Sequence, residues 1–465
     1  MRTTRAIRWG TGGVAAFAAI GAWFAGAAGS RAGAPWPDQA QPDGERLVAS
    51  LGCGACHEGV PEAEEVRLVS PAMGAGAAPL APAYIFHYMA DPQTIRPDIA
   101  PARMPRYDLT ERERVALALF VTNERELRGV DDAFRAALER HPDADRAEGR
   151  TLFQTLNCAG CHAHPEVAPS RSAPDLSLQG SRVVADWLAE YLSDPVTIRP
   201  AGPVPGLGGQ MPDFRLESAE VGAIAGYLMD HSAPAVAAWE PAELSPFSME
   251  KAETLLRDRW SCLGCHRLGD EGGRIGPSLD GIVHRLQPGY VRSLIEAPAH
   301  LAADIVMPGS LEQPDRLNLV ASFLLRREGA WLGADPVPGM PALPDVARGA
   351  GATTTAGAAT PPTGEALYLS RCATCHGVDG GGDGFNAPFM PVPPAAHADS
   401  AAMSIRPDDT LYDGIHAGGW ILGKNHRMPA FGKSLDNGQI RSLVAYIRTL
   451  CNCEGPAWSR DGRRP

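Results

Sequence analysis

Apolar residues recur at helical spacing in this chain, but only over short segments. One segment opens with Thr110 and Glu113, a pair that forms a capping box at a helix N-terminus. Residues 44–52 and 249–260 are amphipathic in a similar way. The last segment follows Asp436 and places four apolar residues on one helix face: Ile440, Leu443, Val444 and Ile447. The pattern predicts a mainly α-helical protein of short helices, and the 42 prolines and 51 glycines favour a loop-rich architecture.

The N-terminus differs from the rest of the chain. Residues 10–29 carry no charge and follow Arg2, Arg5 and Arg8, which is the order of charge and apolarity found in export signals. We predict that residues 1–35 form a signal peptide or a membrane anchor, with a cleavage site at 25–27 if the segment is removed. The remainder is therefore expected in the periplasm or another extracytoplasmic space, with membrane association only through this N-terminus.

Length and charge narrow the functional classes. A chain of 465 residues exceeds one ordinary hydrophobic core and indicates several domains. The formal net charge is −12 and no basic stripe is present, so nucleic acid is not an expected partner. From Thr363 onward ten basic residues balance ten acidic ones, so the acidity lies in the middle of the chain. That middle region favours docking onto a basic protein partner.

Eight of the ten cysteines fall in four copies of the sequence C-x-x-C-H, which is the attachment sequence for c-type haem. Two thiols three positions apart lie on one helical turn and can add to the two vinyl groups of a haem, while the histidine faces the iron. A single copy is also compatible with a redox dithiol or half a zinc site, but four copies leave little room for that interpretation. The four motifs are Cys53, Cys56 and His57; Cys158, Cys161 and His162; Cys262, Cys265 and His266; and Cys372, Cys375 and His376.

A Met-Pro dipeptide follows each motif after 47, 49, 41 and 52 residues, counted from the histidine to the methionine. A thioether sulfur is a soft ligand, and histidine with methionine is the axial pair that raises the haem potential in cytochromes c. Proline cannot continue a helix, so it fixes the loop that carries the sulfur. We therefore predict four axial ligands: Met104, Met211, Met307 and Met428.

The first three motifs belong to a longer repeat. Their first cysteines are 105 and 104 residues apart, and Pro71, Pro174 and Pro277 recur every 103 residues. The first two units also share Asp-Pro-x-Thr-Ile-Arg-Pro, in which Arg96 and Arg199 are candidates to pair with haem propionates. An exposed loop arginine explains these two residues equally well.

A helix ending at C-x-x-C-H, a proline loop, a Met-Pro loop and a final helix resemble class I cytochrome c. In that family a proline carbonyl accepts a hydrogen bond from the haem-ligating histidine. The resemblance implies this role for Pro71, Pro174 and Pro277, and leaves Pro393 and Pro394 as alternatives in the fourth unit. The implied fold class is mainly α, with four tandem class I cytochrome c domains and four covalently bound haem c groups.

The corresponding domain ranges follow the motifs along the chain. We predict an N-terminal signal or anchor at 1–35, followed by four cytochrome c domains at 39–130, 142–235, 246–330 and 363–453. A linker rich in Pro, Ala and Gly, at 331–362, separates the fourth domain from the third. A tether of this composition would let the fourth domain move between electron donor and acceptor. Its Cys-His-Gly and Met-Pro-Ala-Phe-Gly sequences resemble the cytochrome c domains attached to respiratory enzymes and oxidases.

Two cysteines, Cys451 and Cys453, lie outside the motifs. In an exported chain they are expected to form a local disulfide, to meet a cysteine of a partner, or to remain free. No histidine follows them, so they are not a fifth attachment site.

With both axial positions filled, the irons offer no open site for a substrate, and the sequence favours an electron carrier over an enzyme. The expected partners are redox proteins that donate and accept electrons, including a membrane respiratory complex as donor or acceptor. The chain would act as a shuttle between them or as the cytochrome subunit of such a complex. The alternative is a haem enzyme, such as a peroxidase or an oxide reductase, in which one iron lacks its methionine. The histidines that would then compete for iron are His284, His300, His416 and His426.

Overall fold

A computed structural model describes residues 43–73, 80–93, 103–122, 130–169, 173–198, 211–232, 236–301, 306–309, 313–327 and 362–459. The predicted signal or anchor segment and nearly all of the predicted linker lie outside these residues, as do Arg96 and Arg199. From Gly44 onward the chain forms one compact unit, and its described part is mainly helical. Within the described residues no helix is long and apolar enough to cross a membrane.

The helices are short, as the sequence predicts. In chain order they are α1 (Gly44–Ser50), α2 (Glu64–Val69), α3 (Pro82–Tyr88), α4 (Glu111–Thr122), α5 (Asp132–Arg140), α6 (Arg146–Thr155), α7 (Gln179–Arg182), α8 (Ala185–Ser193), α9 (Ser218–Met229), α10 (Pro246–Asp258), α11 (Cys262–Cys265), α12 (Ile282–Arg285), α13 (Pro288–Glu296), α14 (Pro314–Arg326), α15 (Gly364–Arg371), α16 (Ala373–His376), α17 (Ser400–Ser404), α18 (Asp408–Ala417) and α19 (Asn437–Leu450). One two-stranded antiparallel ribbon joins β1 (Arg267–Leu268) to β2 (Glu271–Gly272) directly after the third motif.

The predicted helix starts are confirmed by their capping hydrogen bonds. The backbone N–H of Thr110 donates to the Glu113 carboxylate at 2.8 Å, ahead of α4. Asp436 accepts from the Gln439 N–H at 2.9 Å, and the Gln439 side chain accepts in return from the Asp436 N–H. Helix α19 then buries the four apolar residues predicted for its inner face: Ile440, Leu443, Val444 and Ile447.

Each helix that precedes a motif packs against a helix that follows a Met-Pro loop, but the partners are exchanged between the first two segments. Helix α1 packs against α9, and α6 packs against α4. The third and fourth segments pair their own helices, α10 with α14 and α15 with α19. The expectation that 39–130 and 142–235 each fold on themselves therefore does not describe the helix pairing, because each of these two folds combines helices from both segments.

Glycine permits three of these close helix crossings. A Cβ atom built on Gly44 would overlap the backbone carbonyl oxygen of Ala223 in α9, and one built on Gly149 would overlap that of Ala116 in α4. A Cβ on Gly364 would meet the carbonyl oxygen of Ser442 in α19 in the same way. Only a residue without a side chain allows the two backbones to approach this closely.

Within the described ranges, the buried apolar residues form three clusters. One joins residues of the first, second and third segments and includes Val48, Ile224 and Leu263. A second is built around α4, α5 and α6, and a third lies within the fourth segment. The core is therefore shared across the predicted domain ranges, and it is continuous between the first and third motifs.

Candidate functional site

All four motif histidines donate a hydrogen bond from Nδ1 to a backbone carbonyl oxygen. His266 bonds Pro277 at 2.7 Å, within its own segment. His57, however, bonds Pro174 at 2.7 Å, and His162 bonds Pro71 at 2.9 Å. The role implied for the three prolines is thus confirmed, while the first two histidines exchange their proline partners.

The fourth histidine corrects an expectation. His376 donates to the carbonyl of Ala395 at 2.9 Å, and to neither Pro393 nor Pro394. The imidazole ring of His397 stacks on the ring of His376 with centroids 4.1 Å apart, and its Nδ1 lies 3.1 Å from the Tyr368 hydroxyl. His397 is 8 % exposed, and burial lowers its pKa well below the usual value. Sequence reasoning missed this residue because no spacing rule links it to the motif.

These hydrogen bonds fix the tautomer of each motif histidine. When Nδ1 carries the proton and donates it to a carbonyl, Nε2 is the nitrogen with a free lone pair for iron. Burial lowers the pKa of His57, His162 and His376, which favours the neutral form that a metal requires. The histidines are therefore held in the state needed to act as axial ligands.

The motif cysteines are half-buried, apart from Cys158, which is buried. Burial raises the pKa of Cys53, Cys158 and Cys372 to about 12, and that of Cys262 to about 11. Each pair of thiols lies beside a histidine, which is the set of groups that c-type haem attachment requires. Among the described residues, no group of three or more His, Cys, Asp or Glu side chains is arranged to hold a metal ion.

Two half-buried arginines also fit a haem. Nε and Nη1 of Arg371 and of Arg427 are buried, and these atoms have no hydrogen-bond partner within the described part of the chain. Arg371 directly precedes Cys372, and Arg427 directly precedes Met428. Since a buried cation without a partner is costly, the two propionates of a haem supply the kind of anionic acceptor that these sites lack.

The first two Met-Pro loops follow the exchanged pattern. Met211 packs against the same apolar cluster as Cys53, whereas Met104 packs against the cluster that contains Cys158. The Tyr107 hydroxyl, three residues after Met104, donates to the carbonyl of Leu156 at 3.3 Å, just before the second motif. The first methionine therefore lies on the side of the second motif, and the second methionine on the side of the first.

The two loops also pair with each other. Arg106 and Asp213 stand two residues after their methionines and form an antiparallel bridge, with backbone N···O distances of 2.7 and 2.9 Å. Beside this bridge the Arg103 guanidinium forms an ion pair with Glu220 and donates to the Arg215 carbonyl at 3.0 Å. Arg106 and Asp213 occupy equivalent positions in their segments and contact each other, as expected for two segments related by an approximate twofold axis.

The methionines of the third and fourth Met-Pro pairs are half-buried. Met428 packs against the apolar cluster that also holds Cys372. Met307 is half-buried in the short described stretch 306–309. Both remain predicted ligands of the motif in their own segment.

The four histidines that could compete with methionine for iron are either exposed or in contact with other parts of the chain. His284 and His300 are exposed. His426 donates from Nε2 to the carbonyl of Arg257 at 2.9 Å, and the ring of His416 packs closely against Gly432. Cys451 and Cys453 form a disulfide with each other, which selects the first of the three alternatives for this pair.

Two segments of the chain match family models. Residues 146–232 match the model described as cytochrome c, and residues 359–447 match that described as cytochrome C oxidase, cbb3-type, subunit III. These two cytochrome c domains support a c-type cytochrome with covalently bound haem c, and suggest electron transfer. The second match also agrees with the predicted likeness of the fourth segment to domains attached to oxidases.

No curated protein matches the chain. A reducing HAO-like protein complex from Kuenenia stuttgartiensis is 16% identical over 40% of this chain and 79% of the matched chain, with a TM-score of 0.16. At that score the two arrangements differ too much to support an argument about fold or function.

Proposed function

We propose that this protein is a tetrahaem c-type cytochrome that transfers electrons outside the cytoplasm. The observation that carries the proposal is the repeated histidine geometry: in all four motifs Nδ1 donates to a backbone carbonyl beside a pair of cysteines. The two cytochrome c family matches support it for the second and fourth segments. It would accept electrons from one redox protein and donate them to another.

The contacts favour an exchanged set of axial ligands for the first two haems. We assign Met211 to the haem of the first motif and Met104 to the haem of the second, since each methionine shares an apolar cluster with that motif. The complete ligand sets are Cys53, Cys56, His57 and Met211; Cys158, Cys161, His162 and Met104; Cys262, Cys265, His266 and Met307; and Cys372, Cys375, His376 and Met428.

Each haem supplies one-electron chemistry at its iron when bound. The chain's own residues hold and tune it: the cysteines fix its position, and the carbonyl acceptors orient the histidine rings. Buried apolar side chains around each motif limit the access of water, which favours the less charged oxidation state of the iron. Arg371 and Arg427 are placed to neutralise propionates in the second half of the molecule.

The proposed location and partners follow from the sequence. A signal peptide or anchor at 1–35 would export the chain to the periplasm, where c-type cytochromes exchange electrons with membrane respiratory complexes. The likeness of residues 359–447 to an oxidase subunit favours a terminal oxidase, or another respiratory complex, as the neighbour of the fourth domain.

The first test is the haem content of the full-length protein purified from a host that attaches haem c. We expect four irons per chain, a denatured mass that retains four haems, and no carbon monoxide binding after reduction. Fewer than four haems would contradict the tetrahaem proposal. One haem that binds carbon monoxide would favour the enzyme alternative with an open iron site.

The second test concerns the exchanged ligands. In a Cys53→Ala/Cys56→Ala protein, which lacks the first haem, Met211→His is expected to leave the three remaining haems unchanged. Met104→His in the same protein is expected to convert one haem to bis-histidine ligation and lower its potential. The reverse result would show that each motif uses the methionine of its own segment.

A further inference from the structure

We infer that the four haem-binding motifs are arranged in space in the order second, first, third, fourth, and not in their order along the chain. This inference rests on the proposed function, and it assigns the haems of the second and fourth motifs to the two ends of the electron path. Three sets of contacts carry it, one for each neighbouring pair of motifs.

The second motif lies directly against the first. Asn157, which precedes Cys158, donates from Nδ2 to the Ala55 carbonyl at 2.9 Å and to the Cys56 sulfur at 3.3 Å. Asn157 is 6 % exposed, and its hydrogen bond to the Ala55 carbonyl is buried. From the other side, Nε of Arg67 donates to the Gly160 carbonyl at 2.7 Å. The two C-x-x-C loops therefore meet back to back.

Glycine makes this approach possible. A Cβ atom on Gly160 would lie 3.1 Å from the Cβ of Ala55, so the residues that precede the second cysteine of each motif face each other. Larger side chains at these two positions would separate the motifs. The two haems attached on either side of this contact are therefore held as neighbours.

The first motif meets the third through the loops that hold their histidines. Pro174 accepts the hydrogen bond of His57, and Pro277 accepts that of His266. Arg182 and Arg285 occupy equivalent positions, because each lies eight residues after its proline. These equivalent stretches pair with each other: the Val184 N–H donates to the Arg285 carbonyl, and the Gln287 N–H donates to the Arg182 carbonyl, both at 3.0 Å.

The apolar core supports the same neighbours. Cys53 and Cys262 both pack against one continuous hydrophobic cluster. Cys158 belongs to a separate cluster around α4, α5 and α6. The third motif therefore shares an apolar core with the first motif, although the second motif is nearer to it in sequence.

The third motif meets the fourth through a second asparagine. Asn386 donates from Nδ2 to the Gly264 carbonyl at 2.9 Å and to the Cys375 sulfur at 3.2 Å, and its Oδ1 accepts from the Arg274 N–H at 2.8 Å. Gly264 precedes the second cysteine of its motif, as Ala55 does in the first. The same backbone position is therefore used for both motif-to-motif contacts, and Asn386 is fully buried.

The test removes one haem at a time from the full chain. We expect the Cys158→Ala/Cys161→Ala protein to keep a continuous row of first, third and fourth haems, so pulsed dipolar EPR of the ferric protein should show every haem strongly coupled to a neighbour. The Cys53→Ala/Cys56→Ala protein should contain one magnetically isolated haem, that of the second motif. Iron content and mass must first show three haems in each variant.

The spatial order that we infer and an order that follows the sequence predict opposite results. An order that follows the sequence would isolate one haem in the Cys158→Ala/Cys161→Ala protein and none in the Cys53→Ala/Cys56→Ala protein, and this result would overturn the inference. Equal coupling in both variants would overturn it as well. A failure of the proposed function is distinguishable, because the unaltered protein would then lack four attached haems before any coupling is measured.

A second measurement needs no variant. In the intact tetrahaem protein, haem methyl signals in NMR spectra are assigned to a motif through their contacts with its cysteines, and are followed through stepwise oxidation. We expect oxidation of the first haem to shift the midpoint potentials of both the second and third haems. A larger mutual shift between the second and third haems than between the first and third would contradict the proposed order.

Discussion

At the residue scale, Asn157 combines an unusual backbone with a buried polar side chain. Its φ of 54° lies in the left-handed region, which asparagine tolerates better than most residues. This conformation ends α6 just before the second motif and aims the amide at the first motif. One side chain therefore sets both the backbone entry into the second C-x-x-C-H motif and the contact of that motif with the first.

We predict that Asn157→Gly lowers the free energy of unfolding by about 1–3 kcal/mol, because the buried Ala55 carbonyl loses its donor while the backbone conformation is kept. Asn157→Asp should cost more, since a carboxylate would face that carbonyl and the Cys56 sulfur without a proton to donate. Chemical denaturation of the haem-loaded protein, followed by circular dichroism, measures both changes.

Asn452 supplies the matched control. Its φ is 45°, it is exposed, and its side chain makes no hydrogen bond within the described residues. Asn452→Gly should therefore change stability by no more than about 0.5 kcal/mol. Equal effects at positions 157 and 452 would mean that backbone conformation, and not the contact between motifs, explains the loss.

At the level of secondary structure, the helix crossings decide which segments fold together around each C-x-x-C-H motif. Helices α1 and α6 each begin with or contain a glycine that lets them touch the backbone of α9 and α4. The Asp213–Arg106 bridge then pairs the two Met-Pro loops at equivalent positions. The exchange is therefore maintained by helices and loops acting together.

We predict that Gly44→Val destabilises the protein by about 1–3 kcal/mol or more, because its side chain would overlap the carbonyl of Ala223 and push α1 away from α9. The perturbed haem should be the one attached to the first motif, and the loss of its methionine-to-iron absorption on heating should occur first. Thermal unfolding monitored at haem wavelengths measures this order.

Gly222 in α9 provides the control on the same helix. Apart from the backbone of its own helix, nothing lies within 4 Å of a Cβ built there, and the position is exposed. Gly222→Ala should stabilise the protein by up to about 1 kcal/mol through helix propensity alone. A destabilising effect of Gly222→Ala would show that α9 is packed differently from the arrangement described.

At the scale of the whole molecule, the fourth segment is docked onto the third. Besides the Asn386 contacts, the Arg274 guanidinium lies 4.8 Å from the centre of the Phe389 ring, and His426 donates to the carbonyl of Arg257. These contacts argue against a fourth domain that moves freely, which the composition of 331–362 had suggested. The linker itself lies outside the described residues, apart from its last position.

We predict that cutting the linker does not release the fourth domain. A protease site placed within 331–362 should give two fragments that still elute together in size-exclusion chromatography, because buried hydrogen bonds join the third and fourth motifs. In the same cleavable protein, Asn386→Asp should increase the released fraction. Complete release with the native Asn386 would restore the mobile-domain interpretation.

The local chemistry could be predicted from the sequence alone. The C-x-x-C-H motifs, the Met-Pro pairs and the caps at Thr110 and Asp436 depend on short-range spacing, and spacing is visible in sequence. The carbonyl roles of Pro71, Pro174 and Pro277 could also be predicted, because they follow from a family pattern. His397 and the acceptor at Ala395 could not, since they depend on how the loop after the fourth motif folds back.

Which helices and loops pack together could be established only from the folded protein. Two similar segments of equal period can pair with themselves or with each other, since both arrangements bury the same helix faces and satisfy the same histidines. The choice depends on specific crossings, such as that of Gly44 with Ala223, and on contacts between distant residues, such as that of Asn157 with Ala55. Hydrophobic pattern records which face of a helix is buried, but not which partner covers it.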